Sequence, residues 1–181
     1  MSESKIEFTI PDITFKTRVK DESIEGENQY KWKDVNSREL FKGKKSLVIA
    51  LPGAFTPTCT SKQLPGYEEK YSEFKEQGID EIYCLSVNDA FVMHNWGKSL
   101  GIKNVKMLPD GNADMTRQMG MLVKKENLGF GKRSWRYAML IDNITIKVMW
   151  IEQNIVDNAE DDPYVLTEPD NVLNWLKQNK I

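Results

Sequence analysis

The run Leu47-Val48-Ile49-Ala50-Leu51-Pro52-Gly53-Ala54-Phe55-Thr56-Pro57-Thr58-Cys59 decides how this chain is read. Its first five residues are continuously apolar, the pattern of a short strand covered on both faces. Two prolines and a glycine then turn the chain into a loop. Cys59 is expected to open the helix beyond, where Tyr67, Tyr71 and Phe74 recur at i, i+4 and i+7. Pro65 and Gly66 should kink that helix or start a second segment, and Gly78 should end it.

Toward the N-terminus, Ile6 to Ile10 and Thr14 to Val19 alternate at period two, with a hairpin turn expected near Gly26. Toward the C-terminus, Ile79 to Val87 reads as a strand. Asn88-Asp89 can cap a helix carrying Phe91, Val92 and Trp96 and ending near Gly101. Val105 to Leu108 predicts a short strand and Ala113 to Met119 a short helix. Tyr137 to Asp142 and Thr145 to Ile151 predict a hairpin turning at Asp142-Asn143. Asp170 is expected to cap a last helix with Val172, Leu173, Trp175 and Leu176 on one face. Strands alternating with helices imply an α/β fold with parallel pairs covered on both faces, and the late hairpin makes the central sheet mixed. The element order resembles a thioredoxin-like fold with insertions, organised as one domain over residues 1–181.

Composition excludes several classes. The 181 residues are 40% apolar and 29% charged, with a net charge of −2, which offers no general attraction to nucleic acid or anionic lipid. The longest apolar stretch, Leu47 to Phe55, is far short of a membrane span. Neither Met1 to Lys5 nor Gln178 to Ile181 reads as a targeting signal. Two cysteines and one histidine do not make a closed zinc site. Asp110-Asn112-Asp114 lacks the glycine of a calcium loop, and the acidic run Asp157 to Asp162 reads as a solvated loop. Gly131-Lys132 closes no phosphate loop, because Glu126 stands at the first glycine position. No metal or cofactor is expected. The thiols should be free in a reducing compartment, the cytoplasm.

Cys59 is the informative thiol. The first turn of a helix presents unpaired N–H groups and the positive end of the dipole, both of which favour a thiolate. Position alone leaves a reactive thiol and a quiet structural one equally open. Likewise, Thr56 on its own could be a turn or cap residue, Pro52 a strand terminator and Arg136 the surface partner of a carboxylate. Cys84, inside Ile82-Tyr83-Cys84-Leu85, reads as a small buried hydrophobe; the competing idea is a resolving cysteine, which a central-strand position makes awkward. His94 reads as a surface or interface residue, and the eight methionines as core filler.

Pro52 to Cys59 contains the pattern Pro-x-x-x-Thr-x-x-Cys of the peroxiredoxins. Agreement extends through Leu64-Pro65-Gly66, Ser86 to Val92, Pro109-Asp110-Gly111, Met119-Gly120-Met121 and Gly129 to Tyr137. Over about residues 5–178 the chain resembles the type-5 branch, and most of all the peroxiredoxin part of bacterial peroxiredoxin–glutaredoxin hybrids. The resemblance implies a thiol peroxidase acting on hydrogen peroxide and small alkyl hydroperoxides. Cys59 matches the peroxidatic cysteine, and Thr56 the hydroxyl that meets sulfur and peroxide. Arg136 matches the arginine that reaches in from a later strand, and Pro52 the proline that shields the pocket from water. Backbone N–H groups near Cys59 would complete the oxygen site.

Many type-5 members carry a resolving cysteine well downstream, and hybrids carry a fused glutaredoxin domain. Here no cysteine follows Cys84 and the sequence ends at Ile181. The resemblance therefore implies a one-cysteine cycle recycled in trans by glutathione and glutaredoxin, with thioredoxin as the other reductant. It also implies a homodimer through the stretch around Phe55, the Asp89 to Phe91 loop and Phe130. Two rivals share the fold: a peroxide sensor that relays oxidation to a partner protein, and a binding or holdase module that does not need Cys59.

Overall fold

The computed structural model describes residues 3–180, with side chains from residue 7 onward. Met1, Ser2 and Ile181, on which part of the targeting-signal reading falls, lie outside the described residues. Among the described residues no helix is long and apolar enough to cross a membrane.

Strand β4 (Lys45–Ala50) is the centre of the molecule. The side chains of a strand alternate across a sheet, and here both faces are dry. Leu47 and Ile49 enter one apolar cluster, while Val48 and Ala50 enter the other. That double burial is why the run is apolar at every position from Leu47. Parallel to β4 lie β5 (Glu81–Ser86) and then β6 (Lys106–Pro109). On the other side, β9 (Tyr137–Asp142), β10 (Thr145–Ile151) and β1 (Glu3–Thr9) follow antiparallel. The sheet order is β1-β10-β9-β4-β5-β6, a mixed sheet of the thioredoxin-like type. The β9–β10 turn falls on Asn143 and Ile144, one residue later than expected. Asn143 takes the left-handed backbone (φ 59°), which asparagine tolerates better than most residues.

Helices α2 (Leu64–Glu69), α3 (Tyr71–Glu76), α4 (Ala90–Ser99) and α6 (Pro169–Gln178) cover the Leu47–Ile49 face. The opposite face is covered by α1 (Ser37–Phe41), α5 (Asp114–Gln118) and the hairpin of β2 (Thr14–Lys20) and β3 (Tyr30–Asn36). Pro65 starts α2, Gly78 (φ +85°) follows the end of α3, and Asp89 caps α4 by accepting from the Phe91 and Val92 amides at 2.9 Å. The last helix departs from expectation: Pro169 occupies its first turn and Glu168 its N-cap, so Asp170 lies inside the helix. Proline fits the first turn because its missing N–H has no helical partner there. Helix α1 and the small hairpin β7 (Leu122–Lys124) and β8 (Lys132–Ser134) are too short to show a period in sequence.

The amino ends of β4, β5 and β6 are tied by Glu81. Its carboxylate meets Lys44 Nζ at 3.1 Å and also pairs with Lys106 and the Tyr83 hydroxyl. Burial alone would raise its pKa, but these three donors outweigh burial and hold it at about 2. A carboxylate depressed in this way stabilises the fold above its unfolded pKa, and the contribution disappears as pH falls through the folded value. Urea midpoints of the wild type are therefore expected to fall between about pH 4.5 and pH 2. Glu81→Gln should flatten that slope, and an unchanged slope would remove Glu81 from the account.

Candidate active site

The carboxyl end of β4 delivers the chain into the loop Leu51–Thr56, where α/β sheets place their sites. Leu51 to Ala54 are buried, and Phe55 stands out of the surface at φ 63°. Polar contacts hold the loop. The Ala54 amide donates to Asn88 Oδ1 at 2.9 Å, and Ser86 Oγ donates to the same oxygen at 2.7 Å. Arg133 Nη1 donates to the Pro52 carbonyl at 3.3 Å, while its Nε donates to the Phe130 carbonyl at 3.0 Å. A Cβ on Gly53 would lie 2.5 Å from Arg133 Nη1, so glycine makes room for the clamp.

The helical turn beyond begins at Pro57, and Cys59 opens a π-helical segment, Cys59–Gln63. A π turn inserts one extra residue into a helix and is common at functional sites. Cys59 is 1% exposed, yet its sulfur is not enclosed by apolar groups alone. Arg136 Nη1 donates to Sγ at 3.5 Å. Arg136 comes from the link between β8 and β9, one residue before the strand, and is itself 1% exposed. Its remaining donors meet Gln63 Oε1, Asp162 Oδ1 and, from Nε at 3.0 Å, the Pro163 carbonyl. Burial works against its charge, but Cys59 and Asp162 outweigh burial and hold the guanidinium pKa above its ordinary value.

Thus the fold brings Arg136 to Cys59, while Thr56 and Pro52 share a cavity on the loop just before the cysteine. The Thr56 contact differs from expectation. Its hydroxyl donates to the Gly53 carbonyl at 2.7 Å, so that proton is committed to the loop and the oxygen is left to accept from an incoming O–H. Pro52 and Thr56 line a cavity of about 320 Å³ whose other walls include Lys125, Leu128, Phe130 and Asp162. Cys84 lies in β5, wholly buried, on the same side of the sheet as Cys59. Burial, and then the charge of Cys59, push its thiol pKa well above the usual range. Both cysteines are free. Among the described residues no cluster of His, Cys, Asp or Glu could hold a metal.

Three site residues escape the sequence reading. Asp162 belongs to the acidic run read as a solvated loop, and the run is an exposed loop, but Asp162, 44% exposed, also pairs with a buried guanidinium. Buried arginines need a carboxylate, and this run is where one could have been sought. Gln63, four residues past Cys59, and Arg133, inside the Gly129 to Tyr137 motif, carried no separate signal.

The chain matches the family model described as Redoxin over residues 9–163. It is 55% identical over 172 residues to a peroxiredoxin of Rhizobium etli, covering 95% of this chain and 96% of that one. It is 46% identical over 167 residues to the hybrid peroxiredoxin hyPrx5 of Haemophilus influenzae, covering 92% of this chain and 64% of that one. Among solved structures, the Plasmodium falciparum antioxidant protein, titled a 1-Cys peroxiredoxin, superimposes with a TM-score of 0.89 at 39% identity. That match covers 95% of this chain and 99% of that one.

A fixed positive charge against sulfur favours its anion over the neutral thiol. Arg136→Met is accordingly expected to slow iodoacetamide alkylation of Cys59 at neutral pH, by on the order of tenfold. An unchanged alkylation rate in a folded variant would separate Arg136 from the reactivity of the thiol.

Proposed function

This chain belongs to the type-5 peroxiredoxins, thiol peroxidases of the redoxin family, and from that membership we propose that Cys59 is its peroxidatic thiol in a one-cysteine cycle. The observation that carries the reading is the Arg136 guanidinium 3.5 Å from the Cys59 sulfur, with the residues just before that sulfur, Pro52 and Thr56 to Thr58, lining a cavity. The Cys59 thiolate attacks the nearer oxygen of the hydroperoxide. An S–O bond forms, the O–O bond breaks, and the far oxygen leaves as hydroxide or alkoxide. Cys59 becomes a sulfenic acid, oxidised by two electrons. Arg136 stabilises the negative charge as it moves from sulfur toward the departing oxygen. Thr56 Oγ1, its own proton held by Gly53, accepts from the peroxide O–H and orients it. Pro52 closes the wall and keeps water from competing.

Recycling follows from the cysteine inventory. Cys84 sits in the middle of β5 with its thiol held protonated by burial, which makes it a poor resolving nucleophile. The sulfenic acid is then attacked by the thiolate of glutathione, releasing water, and a glutaredoxin thiol takes over the glutathionyl sulfur. The Plasmodium falciparum relative, titled a 1-Cys peroxiredoxin, supports this arrangement over an internal disulfide. We assign the protein to the cytoplasm, because the cycle consumes reduced thiols, and to a single domain. We also assign it to a homodimer formed through the rim of Phe55 and Phe91, which are 56% and 45% exposed beside the site loop. Phe55→Ser should then elute as a monomer in gel filtration, and an unchanged elution volume would discount that rim.

Peroxide consumption with glutathione and glutaredoxin, and separately with thioredoxin, tests the cycle. Cys59→Ser is expected to abolish turnover and Cys84→Ser to preserve it. Loss of turnover in a folded Cys84→Ser would point to a two-cysteine cycle instead. Rapid oxidation of Cys59 without steady turnover would favour the sensor reading.

A further inference from the structure

When a hydroperoxide O–O bond breaks, the departing oxygen is a strong base and needs a proton. The groups around the cavity and around the Cys59 sulfur divide sharply in their ability to supply one. Arg136 holds its protons more firmly than an ordinary arginine. The Thr56 proton is engaged by the Gly53 carbonyl. Burial pushes the Tyr164 hydroxyl, against which Arg136 packs, well above its usual range. Glu160, Asp161 and Asp162 line the same cavity from exposed loop positions, and Asp162 is already paired with Arg136.

Lys125 is different. It lines the cavity together with Pro52 and Thr56, yet is only 3% exposed. Its Nζ lies 5.5 Å from the centroid of the Trp135 ring, which is fixed by its own indole N–H donating to the Glu152 carbonyl at 2.8 Å. The backbone holds the residue in place as well, the Lys125 amide donating to the Gly131 carbonyl at 2.7 Å. Among the described residues no carboxylate lies within ion-pair distance of this ammonium. Burial lowers its pKa from the usual lysine range. Asp162 and Cys59 support its charge, and Arg136 opposes it. A lysine buried without a counter-ion holds its proton loosely.

We propose that Lys125 is the proton donor to the departing oxygen. The assignment rests on the peroxidase reading of Cys59. As the thiolate bonds to the nearer peroxide oxygen, the negative charge leaves sulfur, and with it goes part of the support for the ammonium. The O–O bonding pair passes to the far oxygen, which takes a proton from Nζ. The products are the Cys59 sulfenic acid, a molecule of water or alcohol, and a neutral Lys125 amine, which regains its proton from solvent.

Leaving groups that need no proton test this directly. The rate of loss of the Cys59 thiol is measured by rapid quench, in wild type, Lys125→Gln and Lys125→Arg, with tert-butyl hydroperoxide and with peracetic acid. The first releases a strongly basic alkoxide and the second a weakly basic acetate. Lys125→Gln is expected to slow the alkyl hydroperoxide on the order of 10²-fold and the peracid by less than about threefold. Lys125→Arg keeps a cation over Trp135 but gives up no proton, so it should behave like Lys125→Gln. Equal slowing with both oxidants, or wild-type rates for Lys125→Arg with tert-butyl hydroperoxide, would overturn the assignment. A wild-type protein that loses no Cys59 thiol to either oxidant would instead bring down the peroxidase reading itself.

Discussion

A guanidinium with almost no access to water organises this molecule. An uncompensated buried ion costs several kcal/mol, so Arg136 can occupy its position only if its donors are met. They are met by four acceptors from two separate parts of the chain: the Cys59 sulfur and Gln63 Oε1 in the π-helical turn, and Asp162 Oδ1 and the Pro163 carbonyl after β10. Removing any one of them leaves a buried donor unpaired. The charge that serves the chemistry therefore also holds the π-helical turn, the start of β9 and the segment after β10 in register with one another.

The sheet makes that convergence possible. Because β4 is buried on both faces, its carboxyl end is fixed, and the loop it feeds cannot drift. Neighbouring β5 supplies Ser86 and, just beyond, Asn88, whose side-chain oxygen accepts from the loop at Ala54. Arg133 clamps the same loop from the other side, with Gly53 leaving it space. The antiparallel partner β9 begins at the other edge of β4 and brings Arg136 to the sulfur. Parallel pairing on one side of β4 and antiparallel pairing on the other thus place a cysteine and an arginine 77 residues apart at one end of the sheet.

Electrostatics divides labour around the site. Arg136, backed by two negative neighbours, is a permanent charge suited to stabilising anions. Lys125, without an ion-pair partner among the described residues and packed on Trp135, is a labile one. Cys84 is removed from the chemistry by the same burial that makes it useful for packing. A guanidinium, an amine and a thiol are thereby given different tasks by their chemistry together with depth and neighbours.

Local pattern carried much of this in advance. The unbroken apolar run of β4, the alternation of β9 and β10, the Asp89 cap and the Gly78 stop are short-range features that report their structure directly. Cys59, Thr56, Pro52 and Arg136 were legible because the motifs around them resemble those of a family; position alone left each of them open. Contacts between distant segments were not legible. Asp162 looked like any solvated carboxylate, Gln63 like any helix residue and Lys125 like any surface lysine, since a side chain's burial and partners are not encoded in its own neighbourhood. Only folding, by excluding water from Arg136 and forcing each of its donors to find an acceptor, decided which residues those would be.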